Sequence, residues 1–512
     1  MDKKLIYILL VAVVLLGGVL RIYNLGAESF WLDEGATFYA AQQGPSYSLE
    51  NTYSKNSLVP EYFGHGGAEM PLYFLLSYYW TQLFGLSEFT LRLLPALFGI
   101  ASIYLLFLVG RLLFNSEVGL LSAFILSINH QHISYSQEAR QYALFILLAL
   151  ASVYFFLRSL QDNKMAYWAV YALASALLLY THYFGSLILI FQLFYLLLSW
   201  KEYKPYLRNL LFSAAGILFL YLPWLPSLYR QFFRVDNIGQ ILGRPGIMDL
   251  AETFVGFSSW ISPDLPSRIA LRAFDIASLP LNGRGLILSV LLLAALYGIM
   301  FVSGLFRNGQ FRLAHALSRE KIFLLLWLGI PLLVPIVFSL LFPAYSVFKS
   351  IKYVLPASPA YYLLVSKGFF HFRKYMALLL SLAVLFSVLP LYSYYTNADK
   401  EQWKEAADYL SSRRESQEPV FLHAANTLLP FSYYHPDLAL VYGVHNTSEL
   451  IPLLEDRSQF WLVLSMDKFS DPEGKIKSYL DANYALIDQN VFTGVRVFRY
   501  AAGNPSDDSK II

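Results

Sequence analysis

Cysteine is absent from the 512-residue chain, which excludes disulfides, thiol nucleophiles and Cys-ligated zinc and leaves the redox compartment unmarked. Charge is scarce. Asp, Glu, Lys and Arg make up 14% of the residues, against about 25% in soluble domains. The net charge of +3 is too small to argue for nucleic acid as a partner. No G-x-G-x-x-G, P-loop or H-E-x-x-H signature is present, no tandem repeat is visible, and no nucleotide cofactor is expected. What is abundant is apolar: 57% of residues are hydrophobic and 17% aromatic. That aromatic share suits a protein with many bilayer interfaces, where Trp and Tyr are favoured. The composition defines a polytopic α-helical membrane protein with the lipid bilayer as its first partner.

Runs long enough to cross a hydrocarbon core of about 30 Å recur down the chain, and about eleven are expected on that criterion. They lie near 5–22, 90–113, 117–134, 141–158, 166–182, 184–200, 208–226, 285–305, 321–342, 353–367 and 375–395. The first follows Met1-Asp2-Lys3-Lys4 and leads into Arg21-Ile22-Tyr23-Asn24 without a small-residue cleavage site, so an uncleaved anchor is expected. With Lys3 and Lys4 inside, alternate loops collect Arg111, then Arg158 and Lys164, then Lys201, Lys204 and Arg208. Arg307, Arg312, Arg319 and Lys321 follow in the next such loop, and Lys367, Arg373 and Lys374 in the last. The opposite loops hold most of the acidic residues, which sets the N-terminus inside and the C-terminus outside the plasma or inner membrane. Ionisable residues such as Arg92, His130, His132 and Arg208 stand near run ends and none at mid-span. An ion-coupled transporter would carry mid-span charges, so the chemistry is expected at the outer surface.

The first outer loop, about residues 23–89, is too long for a connector. It opens with Phe30-Trp31-Leu32-Asp33-Glu34-Gly35, two adjacent carboxylates among aromatic residues. They serve either as the cap of a helix starting near Gly35 or as acid–base chemistry beside the membrane. Further on, His65-Gly66-Gly67-Ala68-Glu69-Met70-Pro71 offers Glu69 and His65 as metal ligands. The two glycines between them work against a preformed helical pair, and His65 also reads as an interfacial polar residue. The stretch 72–84, behind Pro71 in a first-turn position, is short for a span and rich in Tyr and Trp. It is expected to lie in the interface.

The third run ends in a dense polar stretch from Ser127 to Tyr142. Burying so many polar groups between spans is costly unless they line a wet cavity. Glu138 and Arg140 either pair with each other or with headgroups, or they serve a ligand. His130 and His132 make only a weak His-X-His metal signal. Thr181-His182-Tyr183-Phe184 is adequately read as a polar turn with interfacial aromatics. The outer segment of about 227–284 is expected to be a partly ordered loop with a short amphipathic helix. Lys349 and Lys352, between the ninth and tenth runs, either snorkel to headgroups or clamp a lipid phosphate as point charges.

Near residue 396 the composition changes, dividing the chain into a transmembrane domain, 1–395, and a small extracytoplasmic α/β domain, 396–512. Helices are expected at 403–410 and 475–483, with strands at 419–422 and 459–464 and a closing strand ending at 495–500.

Five motifs in this order resemble those of the C-fold integral membrane glycosyltransferases: Trp31-Leu32-Asp33-Glu34, Ala68-Glu69-Met70-Pro71-Leu72-Tyr73, the stretch Phe84–Pro95, Tyr135–Tyr142 and Lys352-Tyr353-Val354-Leu355-Pro356. The nearest branch is family 39, the protein O-mannosyltransferase and lipid A aminoarabinose transferase type. The likeness covers about residues 1–400 and is weaker beyond. It implies a polyprenyl-phosphate-linked sugar donor and transfer to an acceptor on the extracytoplasmic side. It also implies Asp33 as catalytic base and Glu69 as ligand of a divalent metal (Mg, Mn or Zn). By position, Arg140, Lys349 and Lys352 would hold the lipid phosphate. Glu138, Tyr142 and Tyr353, from the same motifs, are substrate-binding candidates, and His65 a second metal ligand. Two departures stand out: Met70-Pro71 replaces the commoner Pro-Pro, and Lys352-Tyr353 stands where Arg-Tyr is common. Arg and Lys are not equivalent at a bidentate site.

The expected reaction is a single inverting displacement, with Asp33 taking the acceptor proton and Glu34 orienting it or capping the helix. The acceptor is a protein hydroxyl, a lipid or a glycan. A transporter or flippase for lipid-linked glycans would show mid-span charges or broken helices around a central cavity. A polysaccharide polymerase or ligase would place critical basic residues in a large outer loop.

Overall fold

The computed structural model describes residues 2–45, 70–232, 245–259, 281–306, 318–342, 351–397, 400–415, 417–455 and 457–503. Two compact units divide the chain. One takes in Met1–Leu25, Glu69–Leu76 and Arg92–Thr396; the other takes in Gly26–Ala68, Ser77–Leu91 and Asn397–Ile512.

Each apolar run of the sequence forms a helix: Lys3–Ile22, Glu88–Leu113, Ser116–Ile128, Tyr142–Asp162, Met165–Leu179, Gly185–Leu198, Leu207–Tyr221, Leu281–Leu305, Arg319–Leu341, Ser358–Phe369 and Met376–Thr396. Among the described residues, 7 stretches are long and apolar enough to cross a membrane by themselves, and Ser116–Ile128, Met165–Leu179 and Gly185–Leu198 are shorter apolar helices. The protein is integral to a membrane. The two last expected spans run on as one stretch, Leu355–Thr396, interrupted where Phe372 leaves helical geometry. The third run is shorter than expected because Asn129 ends it. The Asn129 side chain accepts from His132 N at 2.9 Å and caps a separate helix, His130–Ser136. The fifth run ends at Leu179, leaving Thr181 and His182 in a turn before Gly185.

In the helical unit, several helices expose an apolar side, while Ser358–Phe369 is buried almost throughout. On the first helix Leu5, Ile8, Val11, Leu15 and Val19 are exposed, while Ile6, Leu10, Val13, Gly17 and Arg21 are buried. Helices meet through missing side chains. A Cβ on Gly368 would stand 1.8 Å from Met300 O, and one on Gly304 would stand 2.1 Å from Leu364 O. Such small residues let backbones approach where lipid gives no hydrophobic gain. Phe107, Phe156, Trp168, Phe191, Phe323 and Trp327 fill the centre, and the buried indole of Trp327 donates to Pro356 O at 2.8 Å. The helix Pro71–Phe84 begins at the proline the sequence marked, and Ile247–Ser258 is the helix expected in the 227–284 segment.

The other unit holds a 5-stranded sheet of order β2-β1-β3-β5-β4, made of β1 Val420–His423, β2 Val441–Gly443, β3 Gln459–Leu464, β4 Ala485–Phe492 and β5 Val495–Ala501. β1 pairs in parallel with β2 and β3, and β5 runs antiparallel to β3 and β4. Because side chains alternate along a strand, each face builds its own core. Val420, Leu422, Trp461, Val463, Val495 and Val497 pack with helices Trp403–Arg413 and Leu428–Tyr434. Phe421, Phe460, Leu462, Phe498 and Tyr500 pack with Leu450, Ile476 and Leu480 from the other two covering helices. The expected helices and strands are present; β2 and β4 are additions, β4 joining β5 through a turn at Gly494 with φ 69°.

Candidate functional site

The acidic pair opens the helix Leu32–Gln43. Trp31 precedes it in extended geometry, placing Asp33 and Glu34 in the first turn, where their charge suits the exposed N–H groups. The two carboxylates have different surroundings. Asp33 is half-buried and Glu34 fully buried. Glu34 Oε2 accepts from Trp31 N at 3.4 Å, the arm of a capping box that a tryptophan N-cap leaves possible. Lys400 Nζ lies 3.2 and 3.3 Å from the two Glu34 oxygens.

The same helix is gripped from the Leu428–Tyr434 helix. A Cβ on Gly35 would meet Pro430 N at 2.8 Å, so the two backbones touch there. Tyr434 Oη accepts from Phe30 N at 2.7 Å and donates to Glu88 Oε1 at 3.0 Å, and Tyr433 Oη donates to Glu88 Oε2 at 3.0 Å. The Tyr433 ring packs edge-on against Phe30 and Phe38 at 5.0 and 4.9 Å. The chain entering the helix is held as well: Lys400 N donates to Glu28 Oε1 and Lys404 N to Ser29 Oγ.

In the helical unit, the bend 137–141 between helices His130–Ser136 and Tyr142–Asp162 carries Glu138 and Arg140. Main-chain contacts fix it. Arg140 N donates to Glu138 O at 2.6 Å. Gln137 Nε2 donates to Arg21 O and Tyr23 O at 3.1 and 2.8 Å, and its Oε1 accepts from Tyr394 Oη at 2.7 Å. Buried Arg21 donates to Gly17 O, Ser127 O and Leu126 O, tying the first helix to the start of this segment.

Arg140 and Lys352 lie against aromatic faces. The Arg140 guanidinium stands 5.7 Å from the Phe74 ring centre. Lys352 Nζ stands 5.5 Å from the Tyr142 ring centre and 5.9 Å from that of Tyr353, geometry within the cation–π range. Tyr353 stacks on Phe184 at 5.4 Å and lies 5.4 Å from His182, whose ring stacks on Phe145 at 4.7 Å. His182 Nδ1 accepts from Phe184 N at 3.2 Å. Burial, then the charges of Lys352 and Arg140, push this imidazole down to about 3, so it is neutral in a field set by two cations. A neutral ring beside two positive groups on aromatic shelves suits an anionic ligand with an apolar body.

Of the residues singled out in the sequence, Arg140, Lys352, Tyr142 and Tyr353 come together in one cluster, with Glu138 buried in the same bend. Asp33 and Glu34 share a helix turn with divided surroundings. Lys349, Glu69 and His65 lie outside the described residues. Among the described residues no three His, Asp or Glu side chains converge as a metal site. Three partners were not foreseen. His182, read as an ordinary turn residue, belongs to the basic–aromatic cluster; Phe74 shelves Arg140; Lys400 meets Glu34. Only His182 carried any sequence signal, a histidine set among aromatics.

Residues 68–226 match the family model described as dolichyl-phosphate-mannose-protein mannosyltransferase. No curated protein sequence matches the chain. Among solved structures the chain is similar to ArnT from Cupriavidus metallidurans in the apo state, at 14% identity and TM-score 0.59, covering 96% of this chain and 97% of that one. The structure of that protein bound to undecaprenyl phosphate aligns with TM-score 0.58 at 14% identity, over 97% and 98% of the two chains. The Archaeoglobus fulgidus oligosaccharyltransferase in complex with Zn and sulfate aligns with TM-score 0.54 at 14% identity, over 96% of this chain and 73% of that one. The chain has the fold of ArnT, shared along nearly the whole length of both chains.

Proposed function

We propose that the protein is a polyprenyl-phosphate-sugar-dependent glycosyltransferase that passes a hexosyl or pentosyl group to an acceptor hydroxyl, with inversion, on the extracytoplasmic side of the cell membrane. The observation that carries this reading is the seating of Arg140 and Lys352 against Phe74, Tyr142 and Tyr353, in a fold shared with a protein whose structure holds undecaprenyl phosphate. The alternation of basic loops along the sequence supports the side. The acceptor is a protein hydroxyl, a lipid or a glycan.

In chemical terms, the acceptor hydroxyl is a poor nucleophile at neutral pH and gives its proton to the Asp33 carboxylate. Its oxygen bonds to the anomeric carbon from the face opposite the phosphate. The bond from that carbon to the phosphate oxygen breaks, and its electron pair leaves with the polyprenyl phosphate. Arg140, Lys352 and Lys349 offset the charge that develops there. Tyr142, Tyr353 and Glu138 contact the donor, and Glu34 orients the base. Glu69 and His65 are proposed ligands of a divalent cation, which would add a further positive charge at the phosphate.

Membranes carrying Asp33→Asn, supplied with radiolabelled polyprenyl-phosphate sugar, test the assignment. A general base contributes about 10²–10⁴-fold, so turnover should fall by at least about 100-fold while donor KM stays near its original value. Turnover like that of the unaltered protein would remove Asp33 from the reaction.

A further inference from the structure

We infer that Lys400 is the positioning residue of the proposed base, and that the C-terminal segment takes part in the reaction by fixing the Leu32–Gln43 helix through it. This rests on the reading of Asp33 as base. Glu34 is fully buried and adjacent to Asp33, and the Lys400 ammonium meets both of its carboxylate oxygens, at 3.2 and 3.3 Å. Lys400 is itself largely covered, its side chain 14% exposed. A buried carboxylate deprived of its cation either takes a proton or moves toward water. Glu34 Oε2 also accepts from Trp31 N, so a displaced carboxylate gives up its hold on the first turn of the helix. Asp33 is on the same turn and would move with it.

The surrounding contacts agree with a device for placing the turn rather than merely closing a core. Lys400 N reaches Glu28 and Lys404 N reaches Ser29, so the segment entering the helix is held by the same stretch of chain. Pro430 stands against Gly35, immediately behind the pair, closer than any side chain would permit. Three successive points, Glu28–Ser29, Glu34 and Gly35, are thus fixed from the C-terminal segment. Asp33 lies between them and remains half-buried.

The test compares Lys400→Met, Lys400→Arg, the double variant Glu34→Gln/Lys400→Met and Asp33→Asn in the same transfer assay, with kcat and donor KM measured on protein shown to be folded in detergent. A misplacement of about 1 Å costs on the order of 100-fold in rate, so Lys400→Met should lose about that factor in kcat with donor KM changed less than about threefold. Lys400→Arg keeps the charge and should retain at least about a third of kcat. The double variant has no uncompensated buried charge, so it folds even if Lys400→Met does not. It should still lose about tenfold in kcat, because the tie is gone. A Lys400→Met or double variant with kcat within twofold of the unaltered protein, or a loss confined to KM, overturns the inference. If Asp33→Asn is inactive while Lys400→Met is normal, the brace fails and the base stands. If Asp33→Asn is fully active, both fall.

Discussion

The helical unit and the sheet unit bring chain segments together by opposite means. Between membrane helices the decisive residues are those with nothing on them: Gly368 under Met300 O, Gly304 under Leu364 O, and Gly110 against Gly119. In the sheet unit they are the largest residues, Trp403 and Trp461 on one face and Phe460, Phe498 and Tyr500 on the other. The physical reason is the solvent. Lipid tails are as apolar as a leucine side chain, so helices gain from close dispersion contact rather than from burial. In the sheet unit, burying apolar area is itself the driving force, about 25 cal/mol per Å². The sheet unit departs from its own rule where Gly35 meets Pro430 behind the acidic pair. Backbone contact there does for one helix turn what it does for whole spans elsewhere. It fixes a position more tightly than interdigitated side chains do.

The comparison breaks most visibly at Gly368. A valine there would drive its Cβ into a backbone carbonyl, since the site has 1.8 Å where van der Waals contact needs at least 3.4 Å. No rotamer relieves that, so the Leu281–Leu305 and Ser358–Phe369 helices must separate. The expected cost exceeds about 4 kcal/mol, and Gly368→Val should not be recovered as a monodisperse species in mild detergent. Recovery with an unchanged melting temperature would mean that backbone contact is not what holds these helices.

Trp461→Ala is the converse experiment. Trp461 is fully buried, and its indole N–H donates to Glu418 Oε2 at 2.6 Å. Glu418 also accepts from Arg499 Nε at 3.1 Å. Truncation leaves a cavity between β3 and the Trp403–Arg413 helix and removes one donor from a buried carboxylate, for a loss of about 3–5 kcal/mol. A scan following tryptophan fluorescence should show a transition lowered by several degrees. A loss below about 1 kcal/mol would show that Trp461 does not hold this core together.

The same contrast decides what the sequence discloses. Apolar runs report helices because every residue in a span answers to one solvent, and a central strand reports itself as a short continuous apolar run buried on both faces, as in Phe460-Trp461-Leu462-Val463. Interruptions follow local side-chain chemistry, as when Asn129 caps a new helix inside an apolar run, and hydropathy averages over them. β2 is only three residues long, and β4, with Asp488, Gln489 and Asn490 in its middle, lacks the apolar pattern. The acidic pair was visible as a pair. Its division into a buried Glu34 and a half-buried Asp33 depends on Lys400, 366 positions away in sequence. The same holds for His182, whose partners Phe145 and the adjacent Lys352 and Tyr353 come from two separate stretches. Contacts of that kind have no local signature.

His182 also gives the smallest expected effect. Its pKa is lowered from 6.5 to about 3, first by burial and then by Lys352 and Arg140. From pH 8 down to pH 5 the imidazole therefore remains neutral, and acidification through 6.5 adds no third positive charge to the cluster. Were it to titrate normally, donor KM would fall as the pH dropped, because a new cation would join Arg140 and Lys352 at the phosphate. The donor, a phosphodiester, keeps its single charge over the whole interval. Donor KM should thus vary less than about twofold between pH 5 and pH 8, within what a neutral site allows. His182→Gln, which replaces one neutral polar group with another, should leave that flat profile in place. A KM that tightens on acidification in the unaltered protein but not in His182→Gln would show that His182 takes up a proton and joins Arg140 and Lys352 as a phosphate ligand. The basic–aromatic cluster would then be a pH-dependent site rather than a fixed one.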